Sequence, residues 1–173
     1  MSDFQPIEIV RTLNEHDVRY VIIGGLAAVL WGSDHHTNDI DVCYERSPDN
    51  LRALVTALRA MDAHLRGLPD GVPEIIDERA FRLGDSMTFT TKYGWFDCLG
   101  APAGTTGYKQ LLTNATAMDI RPGLAVQVAS LDDVIEMKRT AGRPKDMWLV
   151  EQLKRLKQLR EEMRQRGEKP AGE

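Results

Sequence analysis

Two aspartates separated by one residue, Asp39 and Asp41, have the types and spacing that most directly suggest chemistry in this chain. On a β-strand, residues i and i+2 point to the same face, so both carboxylates face one side while Ile40 and Val42 face the other. Two carboxylates held side by side repel each other unless a cation neutralises them. Magnesium takes carboxylate oxygens and keeps positions open for phosphate. The pattern predicts a magnesium and nucleotide site; its alternative is a solvated strand end or turn.

A glycine pair, Gly24 and Gly25, follows residues 19–23, an apolar run typical of a strand buried on both faces. Glycine permits a tight turn and lets a phosphate approach the backbone without a Cβ in the way. Residues 26–31 are predicted to form a helix whose first N–H groups face that approach. The alternative for the pair is a turn with no ligand.

A third aspartate, Asp97, lies in the second strand of a hairpin that the sequence predicts over residues 86–99. Alternation places Asp97 on one face with Trp95 and puts Phe96 on the other. A lone aspartate inside an apolar strand is costly to bury unless something pairs with it. Asp97 is therefore the natural candidate for a third carboxylate beside the first two.

The remaining elements are predicted from apolar periodicity and from helix start signals. The helices are expected at residues 6–13, at 51–58 after Ser47-Pro48, at 106–115, from Ser130 and Asp133 to about 140, and from Pro144 onward. A last strand is expected at residues 126–129.

The composition fixes the broad class of the protein. With 173 residues, 42% of them hydrophobic, the chain is long enough for one domain with its own core. No apolar run approaches the roughly 18 residues that span a membrane, and residues 1–10 lack the pattern of a signal peptide. Cys43 and Cys98 give no zinc-binding spacing and suit a reducing cytoplasm better than a disulfide scaffold. We expect a cytoplasmic protein in which both cysteines act as small hydrophobes.

Charge is distributed unevenly along the chain, whose net charge is −4. From Lys138 to the end there are 11 Lys and Arg against 6 Asp and Glu, whereas residues 1–137 carry 11 against 20. A basic C-terminal part beside an acidic part suits a substrate rich in phosphate. The alternative is a solvated helix face.

With these residues in view, the chain resembles the DNA polymerase β-like nucleotidyltransferase superfamily and, within it, small AbiE-type bacterial nucleotidyltransferase toxins. The glycine pair, Asp39-Ile40-Asp41, Asp97 and the basic segment 137–146 carry the resemblance. It implies an α+β nucleotidyltransferase fold, with a mixed β-sheet flanked by helices and a C-terminal helical extension. The division is a catalytic core at residues 1–129 and helices that lie against the core at 130–166, and the residues from Gly167 onward are expected to form a disordered tail at 167–173.

The resemblance also implies roles for particular residues. Asp39 and Asp41 would hold magnesium on the triphosphate, and Asp97 would complete a second metal site and help to activate the acceptor hydroxyl, with two ions in all. The residues that would contact or lie beside the nucleotide are Gly24, Gly25, Ser33, Lys138, Arg143 and Lys145. For the three cations, an ordinary position at a helix end is the alternative.

One loop residue departs from the family pattern. His35 stands where related sequences often carry an arginine, and a histidine cannot make the bidentate contact of a guanidinium. The nucleotide preference is therefore open. We expect His35 and its neighbour His36 to be solvent-exposed, because adjacent histidines do not easily chelate one ion.

The implied activity is transfer of an NMP from an NTP to an acceptor, either RNA such as a tRNA 3′ end or a protein side chain. Toxin-type relatives work beside an antitoxin, so an antitoxin protein is an implied partner; no membrane is involved. One alternative is modification of a small hydroxylated molecule, as in aminoglycoside nucleotidyltransferases. The other is a catalytically silent binding module on the same fold, against which the intact set of three carboxylates argues.

Overall fold

The protein is described by a computed structural model that covers residues 4–170, apart from the side chain of Lys145. These residues form seven helices and seven strands. The helices are α1 (Pro6–Glu15), α2 (Gly24–Leu30), α3 (Pro48–Ala60), α4 (Glu78–Leu83), α5 (Tyr108–Asn114), α6 (Leu131–Ala141) and α7 (Pro144–Gln165). The strands are β1 (Tyr20–Ile23), β2 (Asp39–Tyr44), β3 (His64–Leu65), β4 (Ser86–Thr91), β5 (Gly94–Leu99), β6 (Thr116–Arg121) and β7 (Leu124–Val128).

All seven strands belong to one mixed sheet, in the order β3-β4-β5-β2-β1-β7-β6. Two pairs are parallel, β2 with β5 and β1 with β7, and the others are antiparallel. The predicted α+β class, a mixed sheet flanked by helices with further helices at the C-terminal end, is confirmed.

The register of the central strands places the aspartates. Asp39 pairs with Trp95 and Asp41 pairs with Asp97 across β2 and β5, and Ile23 pairs with Asp41 across β1 and β2. Side chains of paired residues point to the same face of a sheet. Asp39, Asp41, Trp95 and Asp97 therefore share one face.

The opposite face of these strands belongs to the core. Ile40, Val42, Phe96 and Cys98 are fully buried there, as the alternation predicted. The apolar stripe of α3 is buried too, and it consists of Leu51, Leu54, Val55 and Leu58. Cys43 and Cys98 are both free thiols in buried positions, so the prediction that they act as small hydrophobes is confirmed.

Three elements were not predicted from the sequence. β3 has only two residues, too few for any pattern to show. α4 is short, and its start depends on Asp77, whose side chain accepts a hydrogen bond from Ala80 N. β6 forms a hairpin with β7. The glycine of its turn, Gly123, where φ is +78°, is the sequence feature that could have indicated this hairpin.

The glycine pair follows the end of β1, as predicted, but it also begins the next helix, two residues earlier than expected. It does not form a separate turn after the strand, because α2 begins at Gly24 and Ile23 precedes it in extended conformation. Gly24 is the first residue of the helix and has a φ of +67°, a value that residues with a Cβ rarely adopt. The other predicted helices and strands lie within a few residues of their expected bounds. Of the predicted tail, residues 171–173 lie outside the described residues.

Among the helices formed by residues 4–170, none combines the length and the apolar character needed to cross a membrane.

Candidate active site

Three carboxylates meet at the centre of the sheet. Asp39 and Asp41 come from β2 and Asp97 from β5, and each offers an oxygen that lies within 4.8 Å of the other two. All three side chains are half-buried. We call them the carboxylate cluster. The parallel register of β2 and β5 produces this meeting, as the sequence predicted for Asp97.

The cluster is electrostatically crowded. Burial raises the pKa of Asp41 to about 7, and the neighbouring charges of Asp39 and Asp97 add to the effect. The charge of Lys138 and a hydrogen bond from the backbone of Gly25 act in the opposite direction. Three hard oxygen ligands that repel one another in this way fit a divalent cation such as Mg²⁺, which would remove the repulsion.

Asp97 already has a cationic partner. The guanidinium of Arg66 donates from Nη2 to Asp97 Oδ1, and it lies over the indole of Trp95, with 4.7 Å between Cζ and the ring centroid. Burial raises the pKa of Asp97, and Arg66 opposes that rise. Sequence reasoning missed Arg66, because its position depends on β3, the two-residue strand that precedes it.

The two glycines allow the close approach of other side chains. A Cβ at Gly24 would clash with Asp41 Oδ2, and one at Gly25 would lie 2.6 Å from Thr37 Oγ1. Thr37 in turn donates a hydrogen bond of 2.7 Å to Asp39 Oδ1. The pair therefore makes room for one aspartate of the cluster and for the threonine that orients another. Thr37 is a further residue that the sequence did not indicate.

The loop between α2 and β2 contains a histidine with a lowered pKa. His35 is half-buried over Gly25, and burial followed by the charge of Lys138 lowers its pKa. The expected exposure is confirmed for His36 and is wrong for His35. Ser33 lies at the start of this loop, where its Oγ accepts a hydrogen bond of 3.2 Å from His35 N.

A buried ion pair stands on the other side of the cluster. Lys138 of α6 has a side chain only 10% exposed, and its Nζ lies 3.4 Å from Asp146 Oδ1. Arg143 donates from Nε to Asp146 Oδ2 at 2.6 Å. Burial acts against the charge of Asp146, but these two cations hold its pKa below the usual range. The side chain of Lys145 lies outside the described residues.

The depth of Lys138 bears on the alternative that it is an ordinary cation at a helix end. Such a cation is solvated, whereas Lys138 is held in place by a buried carboxylate. Arg143, whose side chain is 58% exposed, reaches the site from the N-cap of α7. The sequence indicated both cations but not Asp146, which fixes them.

A cavity of about 270 Å³ opens beside Asp41. Gly24, Asp41, Lys138 and Arg143 supply its polar boundary. Its apolar boundary consists of Ile23, Leu99, Pro102, Ala103, Met137 and Ala141. The cavity thus joins a carboxylate, two cations and an apolar wall, which are the groups that a metal-bound triphosphate and its nucleoside require.

A family comparison bears on the enzyme class. The model of the family described as "Nucleotidyltransferase of unknown function (DUF6036)" matches residues 4–88, just under half of the chain. These residues include the glycine pair, Asp39 and Asp41. No curated protein matches the sequence significantly.

Solved structures bear on the fold. The lincosamide antibiotic adenylyltransferase LnuA, with lincomycin bound, is similar with a TM-score of 0.59 and 13% identity, over 87% of this chain and 95% of that one. The antibiotic-resistance factor ANT(2'')-Ia in solution has a TM-score of 0.56 and 15% identity, over 93% and 90%. Its complex with adenylyl-2''-tobramycin has a TM-score of 0.52 and 15% identity, over 91% and 94%.

At these identities the structural likenesses establish the fold, which is the nucleotidyltransferase fold that was predicted. The family match confirms the predicted enzyme class, a nucleotidyltransferase. The resemblance to the superfamily is supported; the narrower AbiE-type relationship is touched by neither comparison.

Proposed function

We propose that this protein transfers an NMP from an NTP to a hydroxyl group of an acceptor, in a reaction that depends on magnesium. The observation that carries the proposal is the carboxylate cluster beside a cavity lined by Lys138 and Arg143. A triphosphate bound to magnesium needs carboxylate oxygens for the ion and cations for the phosphates, and both lie within one site.

The protein's residues would divide the work as follows. Asp39 and Asp41 would hold a magnesium ion, and Asp97 would share in holding a second one. Bound magnesium supplies charge neutralisation for the triphosphate and for the leaving pyrophosphate. Lys138 and Arg143 would bind the phosphates, since both border the cavity. Ser33 and Lys145 remain proposed neighbours of the nucleotide.

The transfer itself is a single displacement. The acceptor oxygen forms a bond to the α-phosphorus, and the bond from the α-phosphorus to the pyrophosphate oxygen breaks. The acceptor proton passes to Asp97, whose Oδ2 is not the oxygen that Arg66 engages. Pyrophosphate leaves as the second product.

The sequence predicted RNA, such as a tRNA 3′ end, or a protein side chain as the acceptor. The basic α7 supports the RNA candidate, because phosphate-rich chains bind rows of Lys and Arg. The narrower hypothesis of a toxin acting beside an antitoxin belongs to the same candidate. The test is to express this protein alone, which should then slow growth, and to ask whether co-expression of a neighbouring open reading frame restores growth.

A small hydroxylated molecule is the second candidate acceptor. The structures with which this chain shares its fold bear names that describe adenylyl transfer to lincosamides and a complex with adenylyl-2''-tobramycin.

The test is a labelling experiment with the wild-type protein, Mg²⁺ and each of the four NTPs labelled at the α-phosphate. Total RNA, total protein, tobramycin and lincomycin serve as acceptors. We expect label on one class of acceptor, and we expect Asp41→Ala to reduce that label at least about a hundredfold, because the ion loses a ligand.

The matched control is Asp119→Ala, which removes an exposed aspartate from β6 at the far edge of the sheet. It should label like the wild type. Equal labelling by the Asp41→Ala protein would overturn the proposal. A wild type that binds no NTP in the presence of Mg²⁺ would favour the silent module instead.

A further inference from the structure

A tryptophan lies next to the carboxylate cluster. Trp95 and Asp97 are alternate residues of β5, so their side chains share a face and lie about 6.7 Å apart along the strand. In the register with β2, Trp95 pairs with Asp39, as Asp97 pairs with Asp41. Trp95 does not line the cavity beside Asp41, which the nucleotide would occupy.

This tryptophan is exposed where its neighbours in the strand are not. Trp95 is 40% exposed, whereas Gly94 and Phe96 are buried. A large apolar side chain that is left accessible beside a polar site is a feature of binding surfaces. Its position two residues from Asp97, on the same face of β5, distinguishes it from isolated surface residues.

Arg66 joins the indole to the cluster. Its guanidinium lies over the ring of Trp95 and donates to Asp97, so that ring, cation and carboxylate are continuous. Its Nε is buried and has no hydrogen-bond partner among residues 4–170, which is costly for a charged donor. A ligand oxygen that draws the guanidinium into a new position would relieve that cost.

The neighbouring strand adds hydroxyl groups. Thr90 pairs with Trp95 and Thr88 pairs with Asp97 in the antiparallel register of β4 and β5. Paired side chains share a face, so both threonines flank the row that contains the indole and the carboxylate. We call Trp95, Arg66, Thr88 and Thr90 the platform.

We propose that the platform is the acceptor subsite and that it takes a small ring compound bearing several hydroxyl groups. The ring lies against the part of the indole of Trp95 that Arg66 leaves exposed. A hydroxyl at its edge then reaches Asp97, because Trp95 and Asp97 are adjacent on the same face of β5. The threonines hydrogen-bond the other hydroxyls. This subsite rests on the proposed function and specifies its substrate class.

Charge favours a small ring compound over RNA at the platform. RNA needs several cations for its phosphates, but the one cation of the platform, Arg66, is already neutralised by Asp97. On β3, next to β4, His64 is paired with Glu74 and lies 3.6 Å from Asp62. The carboxylates of Glu74 and Asp62 repel a polyanion and attract a protonated amino group on a ring compound.

The test measures binding without turnover. Tobramycin and lincomycin, two ring compounds with several hydroxyl groups, are titrated separately into the full chain with Mg²⁺ and without nucleotide. The chain contains three tryptophans, so their indole N–H signals in a ¹H–¹⁵N spectrum report the contact. We expect the signal of Trp95 to shift. Trp95→Ala should weaken the binding about tenfold, and Trp95→Phe should retain most of it.

The matched control is Trp148→Ala, because Trp148 is 63% exposed on α7. It should bind the ring compounds like the wild type, and all variants should bind Mn²⁺ equally, which shows that the fold is intact. Unchanged binding by Trp95→Ala, an equal loss in Trp148→Ala, or binding of RNA alone would overturn the subsite.

The two proposals fail separately. If a ring compound binds through Trp95 but no NTP-dependent transfer occurs, the platform stands as a binding site and the proposed function is overturned. If a ring compound is labelled but binds the Trp95→Ala protein with unchanged affinity, the proposed function stands and the subsite is overturned.

Discussion

Two cations approach the carboxylate cluster, one from the β4 side and one from the β1 side, and the protein holds them differently. Lys138 is buried, and its partner Asp146 lies outside the cluster. Arg66 has a side chain 25% exposed, and its partner Asp97 belongs to the cluster itself. Lys138 is thus fixed whether or not the cluster is charged, whereas the ion pair of Arg66 depends on the charge of Asp97. One cation is part of the scaffold, and the other can be exchanged for a ligand.

The largest effect is expected on the scaffold side. Lys138→Met leaves Asp146 buried with only Arg143 to balance it, so we expect the free energy of unfolding to fall by about 3 kcal/mol. Denaturant titration measures this change. Lys157→Met is the matched control, since Lys157 pairs with the exposed Asp132 and should cost less than about 1 kcal/mol. Similar losses in the two variants would erase the contrast between a scaffold cation and a surface cation.

A smaller effect on stability, with a specific effect on metal binding, is expected at Gly24. Gly24→Ala forces a side chain into a left-handed conformation at a cost of about 1–2 kcal/mol, and its Cβ displaces the carboxylate of Asp41. We expect Mn²⁺ to bind at least about tenfold more weakly, as measured by electron paramagnetic resonance.

Gly67→Ala separates the two contributions. Gly67 has a φ of +73°, close to that of Gly24, but a Cβ there meets nothing within 4 Å. It should lose similar stability and keep its affinity for Mn²⁺. A loss of affinity in Gly67→Ala as well would mean that backbone strain, and not contact with Asp41, governs the metal site.

The smallest change in stability is expected on the exchangeable side. Arg66→Gln removes a partly exposed partner of Asp97, so the free energy of unfolding should change by no more than about 1 kcal/mol. The cluster loses a competing cation, and we therefore expect Mn²⁺ to bind about tenfold more tightly by calorimetry. Arg82→Gln, which changes an exposed arginine of α4, should leave the affinity as it was. Weaker Mn²⁺ binding after Arg66→Gln would show that Arg66 supports the metal site instead of competing with it.

The central strands could be predicted because their signals are local. The alternation of acidic and apolar residues in β2 gave its bounds at residues 39–44, and the same alternation in β5 placed Asp97 on the exposed face. That Asp97 would meet Asp39 and Asp41 followed from the cost of burying a lone carboxylate. Periodicity likewise placed α3 and its apolar stripe.

Arg66 and Asp146 could not be predicted because their roles depend on distant pairing. Arg66 reaches Asp97 only after a two-residue strand has paired with β4. Asp146 lies in the first turn of α7, and its burial depends on how α7 lies against α6. The same holds for Thr37, whose hydrogen bond to Asp39 needs the absence of a side chain at Gly25.

The pairing of Asp41 with Asp97 across two parallel strands links ion binding to folding. The two residues come from distant parts of the chain and become neighbours only when β2 and β5 have paired. An ion that binds both therefore binds the native sheet and not the unfolded chain. By mass action, an ion at a hundred times its dissociation constant adds about 2.7 kcal/mol to the free energy of unfolding. Amide hydrogens along β2 and β5 should accordingly exchange more slowly with solvent as the concentration of Mg²⁺ rises.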